Sequence, residues 1–420
     1  MKHSIIIVGA GASGLLAAKQ LASKFEVTVL EATNRVGGRI HTIIDGENII
    51  EAGAEFIHGK LPLTFRLLKK AGLDYQPVSG EFYRKENGTL QVEQDMIPGW
   101  DELLKQMKKQ KEDTDLNSFL DKRFPGDKFD DLCSFAKSYA EGFDLADPGK
   151  ASVKALYREW RAESTRNYRI PAGYSALLSH LEKQIVKKGG KIIPDSTVRS
   201  IHWQKGKVEA VTVRGKRFQS DKILVTVPLG VLCKPAAAAG SSCIEFTPEI
   251  EAQRNAARNI GFGPVIKAVL KFKQPFWNPD TGFVFSDEKY FPTWWTKLPG
   301  IAPLLTGWIG GPPAASIAED TDDDILQKAL ASLSTIFDKP FHELREELVD
   351  AKIFNWCVYS TALGGYSYEK PGSKKAKKIL NTPLLNTLFF TGEGLYSGKF
   401  PGTVEAAFQH AEEVVKKIKG

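Results

Sequence analysis

With 420 residues, 42% hydrophobic and 25% charged, the chain can hold two or three domains, or one composite domain with a sizeable core. Its net charge of +7 is spread thinly, apart from Lys374-Lys375-Ala376-Lys377-Lys378, which reads as a solvated helix face rather than a nucleic-acid or membrane patch. No run of 18 apolar residues could span a membrane, no secretory leader fits before the first strand, and Cys133, Cys233, Cys243 and Cys357 have neither metal nor redox spacing, so a cytoplasmic protein without a metal is expected.

Ile5-Ile6-Ile7-Val8 reads as a buried strand. It breaks into Gly9-Ala10-Gly11-Ala12-Ser13-Gly14, and a helix is predicted over Leu15–Lys24. In this Gly-x-Gly-x-x-Gly pattern Gly9 permits the tight turn. Gly11 lets a pyrophosphate approach the backbone, and Gly14 lets the helix pack close. The helix start offers unpaired N–H groups and a positive dipole end to phosphate. A second strand, Val27–Leu30, ends in Glu31, 20 positions after Gly11, where a carboxylate can accept both hydroxyls of an adenosine ribose. In the loop that follows Ala32, Arg35 and Arg39 bracket Gly37 and Gly38, a composition suited to wrapping phosphate. A hairpin is predicted about Asp45-Gly46. After it comes a glycine-punctuated stretch, Glu51 to Gly59, that contains Gly53, Ala54, Glu55, Phe56 and His58.

Residues 61–166 show helical periodicity over Pro62–Ala71, Asp101–Lys111, Asp115–Phe124 and Phe129–Ala140, interrupted by a hairpin about Asn87-Gly88. A helix over Tyr174–Lys188 stops at Gly189-Gly190. Short strands then follow at Lys191–Ile193, Val198–Gln204 and Val208–Val213. A buried strand from Ile223 ends at the proline turn Val227-Pro228. Pro248–Asn259 reads as a helix and Val265–Phe272 as a strand. By alternation alone, the face carrying Val265, Lys267, Val269 and Lys271 is the solvated one. Phe276, Trp277, Phe291, Trp294, Trp295 and Trp308 make this half aromatic-rich, and most are expected in the core. An amphipathic helix over Asp323–Phe337 leads to Asn355-Trp356-Cys357, then Gly364-Gly365-Tyr366. Leu388-Phe389-Phe390 is a buried strand that ends at Thr391-Gly392-Glu393, and a last helix begins near Thr403-Val404.

Several of these motifs, taken together, resemble the flavin-containing amine oxidases. They are Arg35-x-Gly-Gly-Arg39, Gly53-Ala-x-x-x-His-Gly59, the segment from Val225 to Leu232, Gly261-Phe-Gly-x-x-x-Lys267, and the ending with Phe389 to Glu393 and Gly402 to Ala407. The resemblance spans the whole chain and implies an α/β fold. A Rossmann-like FAD-binding domain would be assembled from 1–75, 166–246 and 362–420, with a substrate domain from 76–165 and 247–361. It implies FAD held by Gly9, Gly11, Ser13, Gly14, Glu31, Ala32, Arg35, Gly38, Arg39, Gly53, Ala54, Glu55, Phe56, Val198, Val227, Trp356, Gly392, Glu393, Thr403 and Val404. Glu393 would lie near the ribityl or pyrophosphate, Val198 would meet adenine through its backbone, and the helix start at Thr403-Val404 would face the flavin ring. Lys267 would face the flavin against the reading from alternation, and Tyr366 and His58 would stand at the substrate. Gly365 occupies the position where monoamine oxidases attach flavin to a cysteine, so FAD is expected to be non-covalent. Thr403 replaces the second of two tyrosines that sandwich the amine. The implied activity is oxidation of an amine C–N bond with oxygen as acceptor, giving imine or aldehyde and hydrogen peroxide. A desaturase or protoporphyrinogen-oxidase-like enzyme on the same fold, or a flavin module without turnover, stays open on sequence alone.

Overall fold

A computed structural model of the chain describes residues 2–86, 88–92, 97–162, 166–233, 243–300 and 302–420. At its centre is a five-stranded parallel sheet in the order Lys191–Ile193, Glu26–Leu30, Ser4–Val8, Lys222–Val225, Leu388–Phe390. Its strands read as continuous apolar runs because both faces are covered. Ile5, Ile7, Val27, Val29 and Leu224 pack under helices Ala12–Leu21, Ser175–Lys187 and Val404–Lys419. On the other face Ile6, Val8, Ile223 and Val225 meet Ile201, Val208 and Ala210 from the antiparallel strands Val198–Gln204 and Lys207–Thr212.

The first helix starts three residues earlier than its periodicity suggested. Gly11 is its N-cap and Gly14 lies in its first turn, while the chain leaves the helix at Ala22. Gly9 has φ +106°, a conformation that favours glycine. A Cβ on Gly14 would lie 2.0 Å from the Gly9 carbonyl oxygen. Gly14 therefore permits close packing against the turn itself, more than against the strand.

A second sheet of seven strands runs Leu348–Asn355, Val265–Phe272, Leu304–Gly310, Thr293–Trp295, Thr281–Phe285, Glu81–Glu86, Thr89–Val92. The predicted hairpin is present as the last pair, although its tip residue Asn87 lies outside the described residues. Ile266, Ala268, Leu270 and Phe272 pack against helix Asp322–Phe337. The opposite face, with Val265 and Val269, packs on Ile50, Ala52 and Trp356. Alternation therefore misplaced Lys267. Its face is buried against the dinucleotide half, and Lys267 is 1% exposed. Helices Trp100–Lys109, Leu116–Arg123, Asp130–Gly142 and Val153–Ala162 form a layer with its own core, and the last of these had no prior expectation.

The basic run also departs from expectation. Lys374, Lys375 and Lys378 are exposed, but Lys377 is buried on helix Ser373–Leu380. Its ammonium donates to Glu369 Oε1 at 2.8 Å and to the Tyr396 carbonyl at 2.6 Å. Among the described residues no helix is long and apolar enough to cross a membrane, and no cluster of side chains suits a metal ion.

Candidate active site

One cavity of about 1360 Å³ runs from the Gly9 turn to the seven-stranded sheet. That exceeds the roughly 300–1,000 Å³ of an ordinary ligand pocket. At its first end Glu31 is held rather than free. Its Oε2 accepts the Ala10 N–H at 2.7 Å, and its Oε1 accepts the Thr33 N–H and hydroxyl at 3.0 and 2.9 Å. The carboxylate thus stands fixed at the cavity wall beside the turn. Ser13 lines the same end and donates to the Ala407 carbonyl, tying the first helix to the last. Ala32, Val198 and Val227 complete this wall.

The arginine loop behaves differently from its reading as a phosphate clamp. The Arg35 guanidinium donates to the Gly38 and Ile40 carbonyls at 2.9 and 3.1 Å, so it staples its own loop. Arg39 Nη1 donates to the Gly365 carbonyl at 2.6 Å and to Glu393 Oε1 at 2.8 Å. Glu393 Oε2 in turn accepts the Ser367 hydroxyl at 2.6 Å. These charges pin three remote segments around the cavity, and Arg35, Arg39 and Glu393 line it themselves.

That backbone fits a dinucleotide. A Cβ on Gly11 would meet nothing closer than the Gly37 carbonyl oxygen at 3.9 Å, one on Gly38 nothing closer than Gly11 Cα at 3.6 Å, and one on Gly392 nothing within 4 Å. The protein does not fill the space beside these glycines; a ligand can. Gly14 is the one predicted cofactor residue absent from the wall. At the far end Thr403 Oγ1 caps the last helix by accepting the Ala406 N–H at 3.2 Å. The earlier N–H groups of that first turn have no intrahelical partner and open a positive helix end beside Val404. Glu405 is buried and turned away. It accepts the Leu63 and Thr64 N–H groups at 3.0 and 2.7 Å and so caps helix Pro62–Ala71.

Around this end stand Lys267, Glu55, Phe56, His58, Trp295, Trp308, Trp356 and Tyr366. Lys267 Nζ donates to Glu55 Oε2 at 2.6 Å and to the Gly53 carbonyl at 3.4 Å. Glu55 also takes Arg169, Lys297 and Trp295, so each of its oxygens already holds two protein donors. Trp356 is likewise fixed, its Nε1 donating to the Ala52 carbonyl at 2.8 Å. His58 Nδ1 pairs with Asn167 Oδ1 at 2.8 Å, and burial lowers its pKa, so the ring is neutral and adds no charge to the cavity. Tyr366 donates its hydroxyl to the Phe143 carbonyl at 2.5 Å, and burial holds its pKa well above the phenol range. Asp144 and Glu159 also reach the wall. Trp160 Nε1 donates to Asp144 at 2.8 Å, and burial pushes Glu159 up to about 7. Sequence reasoning missed this pair, because neither residue sits in a motif. It also missed Arg169 and Lys297, which pair with Glu55.

A glycine turn at a parallel sheet, a fixed acid after the second strand and a cavity reaching a buried lysine define a dinucleotide-binding protein with room for a second ligand. The chain belongs to the family of flavin containing amine oxidoreductases, whose model matches residues 12–418. It is 26% identical over 443 residues to polyamine oxidase 2 of Arabidopsis thaliana, covering 96% of this chain and 86% of that one. It is 27% identical to lysine-specific histone demethylase 2 of Homo sapiens over 99% of this chain but 53% of the other. The fold is shared with putrescine oxidase bound to putrescine, at a TM-score of 0.81, 17% identity and coverage of 100% and 99%. It is also shared with cyclohexylamine oxidase from Brevibacterium oxydans, at a TM-score of 0.79, 19% identity and full coverage of both chains. The protein is thus an FAD-dependent amine oxidoreductase, and the α/β architecture expected from sequence holds.

The flavin is non-covalent. Gly365 lacks the thiol, and a Cβ there would lie 2.6 Å from both Leu145 Cδ1 and Val265 Cγ1, so the space for one is already filled. Acid precipitation is expected to release FAD into a yellow supernatant, and flavin retained in the pellet would contradict this. Glu31→Ala should weaken FAD retention, because the ribose loses a charge-assisted acceptor worth about 1.5–3 kcal/mol. The same change frees Ala10 and Thr33, so the turn loosens as well.

Proposed function

We propose that the protein oxidises the C–N bond of a primary or secondary amine and passes the electrons to oxygen, giving hydrogen peroxide and an imine that hydrolyses to a carbonyl. Bound FAD supplies the two-electron acceptor for this chemistry. The chain's own residues bind, orient and dry the amine. The observation that carries the reading is the aromatic end of the cavity, where Tyr366, Trp295 and His58 share the wall with Lys267, whose ammonium lies over the Trp295 ring. We assign Lys267, Tyr366 and His58 to the reacting end. The glycine turn, Glu31, the Arg35–Arg39 loop, Gly53 to Phe56, Val198, Val227, Trp356, Gly392-Glu393 and Thr403-Val404 form the cofactor cradle, with Glu55 acting through Lys267. Residues 1–75, 166–246 and 362–420 form the FAD-binding domain in this reading, and 76–165 and 247–361 the substrate domain. A cytoplasmic location is part of the same proposal.

Relatives named polyamine oxidases favour a substrate with more than one nitrogen, and the Asp144–Glu159 pair on the cavity wall supports it. A carboxylate there attracts a distal ammonium. The demethylase relatives are matched over about half their length or less, which leaves a histone tail as the less favoured substrate. Anaerobic reduction of the flavin by a panel of monoamines, diamines and polyamines, followed by peroxide detection on admitting oxygen, tests both parts. A flavin that no amine bleaches would sink the reading.

The reacting nitrogen has to be neutral, since a protonated amine has no lone pair to expel electron density from the C–H bond. A free alkylamine titrates near about 10.4 if it resembles lysine. Transfer to a dry aromatic wall disfavours the charged form. Flavin reduction at saturating amine is therefore expected to rise with pH through an apparent pKa below that of the free amine. A flat profile from about pH 6 to 10 argues against an amine substrate.

A further inference from the structure

Glu55 is the most heavily engaged carboxylate on the cavity wall. Its Oε2 accepts from Lys267 Nζ at 2.6 Å and Trp295 Nε1 at 3.2 Å. Its Oε1 accepts from Arg169 Nε at 3.1 Å and Lys297 Nζ at 3.4 Å. The Glu55 side chain is 3% exposed, Lys267 1%, Arg169 9% and Lys297 15%. Arg169 is itself anchored, donating to the Thr296 and Leu298 carbonyls at 2.8 and 2.9 Å. Three cations thus meet one anion in a place that water hardly reaches, and only Lys267 of the three lines the cavity.

We propose that Glu55 is the positioning residue for Lys267: it holds the ammonium at the reactive end of the cavity and keeps it charged, while Arg169 and Lys297 hold Glu55 in place. This rests on the reading of Lys267 as the flavin-facing cation.

The other charged groups facing Lys267 cannot replace Glu55. Glu51 is occupied by the Tyr174 N–H and the Thr42 hydroxyl, and burial pushes its pKa up to about 7. His58 is neutral, and Lys297 repels. Burial already lowers the pKa of Lys267, with Glu55 the largest opposing influence. Without Glu55 three buried cations lack a counter-ion, and the cheapest relief is loss of one proton. A guanidinium does not give one up, and Lys297 is the more exposed lysine. The proton leaves Lys267, which becomes an ordinary titrating amine.

Sulfite is the probe, since its addition to oxidised flavin needs nearby positive charge and involves neither amine nor oxygen. The sulfite Kd of FAD-loaded Glu55→Gln, divided by that of wild type, is expected to grow at least tenfold between about pH 6.5 and 9, a change of about 1.4 kcal/mol. Lys267→Met should weaken sulfite binding at every pH. The double variant Glu55→Gln/Lys297→Gln keeps the wild-type balance of buried charge. If the single variant does not retain flavin, the double one is tested instead: Lys267 has lost a repelling cation along with its anion, so a smaller rise with pH is expected, and no rise overturns the proposal. A ratio that stays flat with pH while Lys267→Met weakens sulfite overturns the role of Glu55 alone. An unchanged Kd in Lys267→Met removes the lysine from the flavin and overturns both readings.

Discussion

Lys267→Met is expected to leave FAD bound and to slow reoxidation of the reduced enzyme by oxygen tenfold or more. Oxygen accepts its first electron as superoxide, an anion formed next to the reduced cofactor. A fixed ammonium in a dry wall lowers the energy of that developing charge, and water is too scarce there to substitute for it. Tenfold corresponds to about 1.4 kcal/mol of transition-state stabilisation. Methionine keeps much of the length and apolar volume of the lysine. Glu55 retains Arg169, Lys297 and Trp295, so the variant does not strand a buried carboxylate. Lys271→Met is the control. It lies further along the strand, is only half-buried, and should change little. Equal stopped-flow reoxidation rates in wild type and Lys267→Met would take the lysine out of the site.

Alanine at Gly11 and at Gly14 should fail for opposite reasons. At Gly14 the new methyl would stand 2.0 Å from the Gly9 carbonyl oxygen and 3.0 Å from Thr226 Oγ1. Neither can yield easily, because Thr226 Oγ1 is held by the Val8 and Gly9 carbonyls at 2.9 and 3.1 Å. Overpacking of this kind costs about 1–3 kcal/mol or more, so the flavin-free protein should itself melt several degrees lower. At Gly11 the methyl meets nothing within the protein closer than 3.9 Å and points into the cavity. The flavin-free protein should melt as wild type does, while FAD affinity falls at least tenfold. Thermal melts with and without FAD separate the two. If Gly11→Ala binds FAD normally, the pyrophosphate does not lie against that turn.

Much of this was legible because the signals were local. The Gly9 turn, the Glu31 spacing, helix Pro62–Ala71 and strand Val198–Gln204 follow from short patterns that need no partner. What was not legible depends on residues distant in sequence. Alternation presumes one wet face, yet strand Val265–Phe272 is covered on both sides, by helix Asp322–Phe337 and by the dinucleotide half. Resemblance to the family put both Lys267 and Glu55 at the cavity, where they lie, but it did not pair them. Only the folded chain brings residues 55, 169, 267 and 297 together. Lys377 looked like part of a solvated run because its partners, Glu369 and Tyr396, lie outside that helix.

The central sheet has a consequence for how the enzyme is made. Its edge strand, Leu388–Phe390, pairs with Lys222–Val225, and helix Val404–Lys419 packs on helix Ala12–Leu21. Helix Ser175–Lys187 covers part of the first helix, but the rest is covered from positions such as Ala407, 394 residues beyond Ser13. Contacts of such long sequence separation form late, and the exposed intermediate is prone to aggregate. The helix start at Thr403-Val404, which lines the cavity, likewise forms only once that late segment is present.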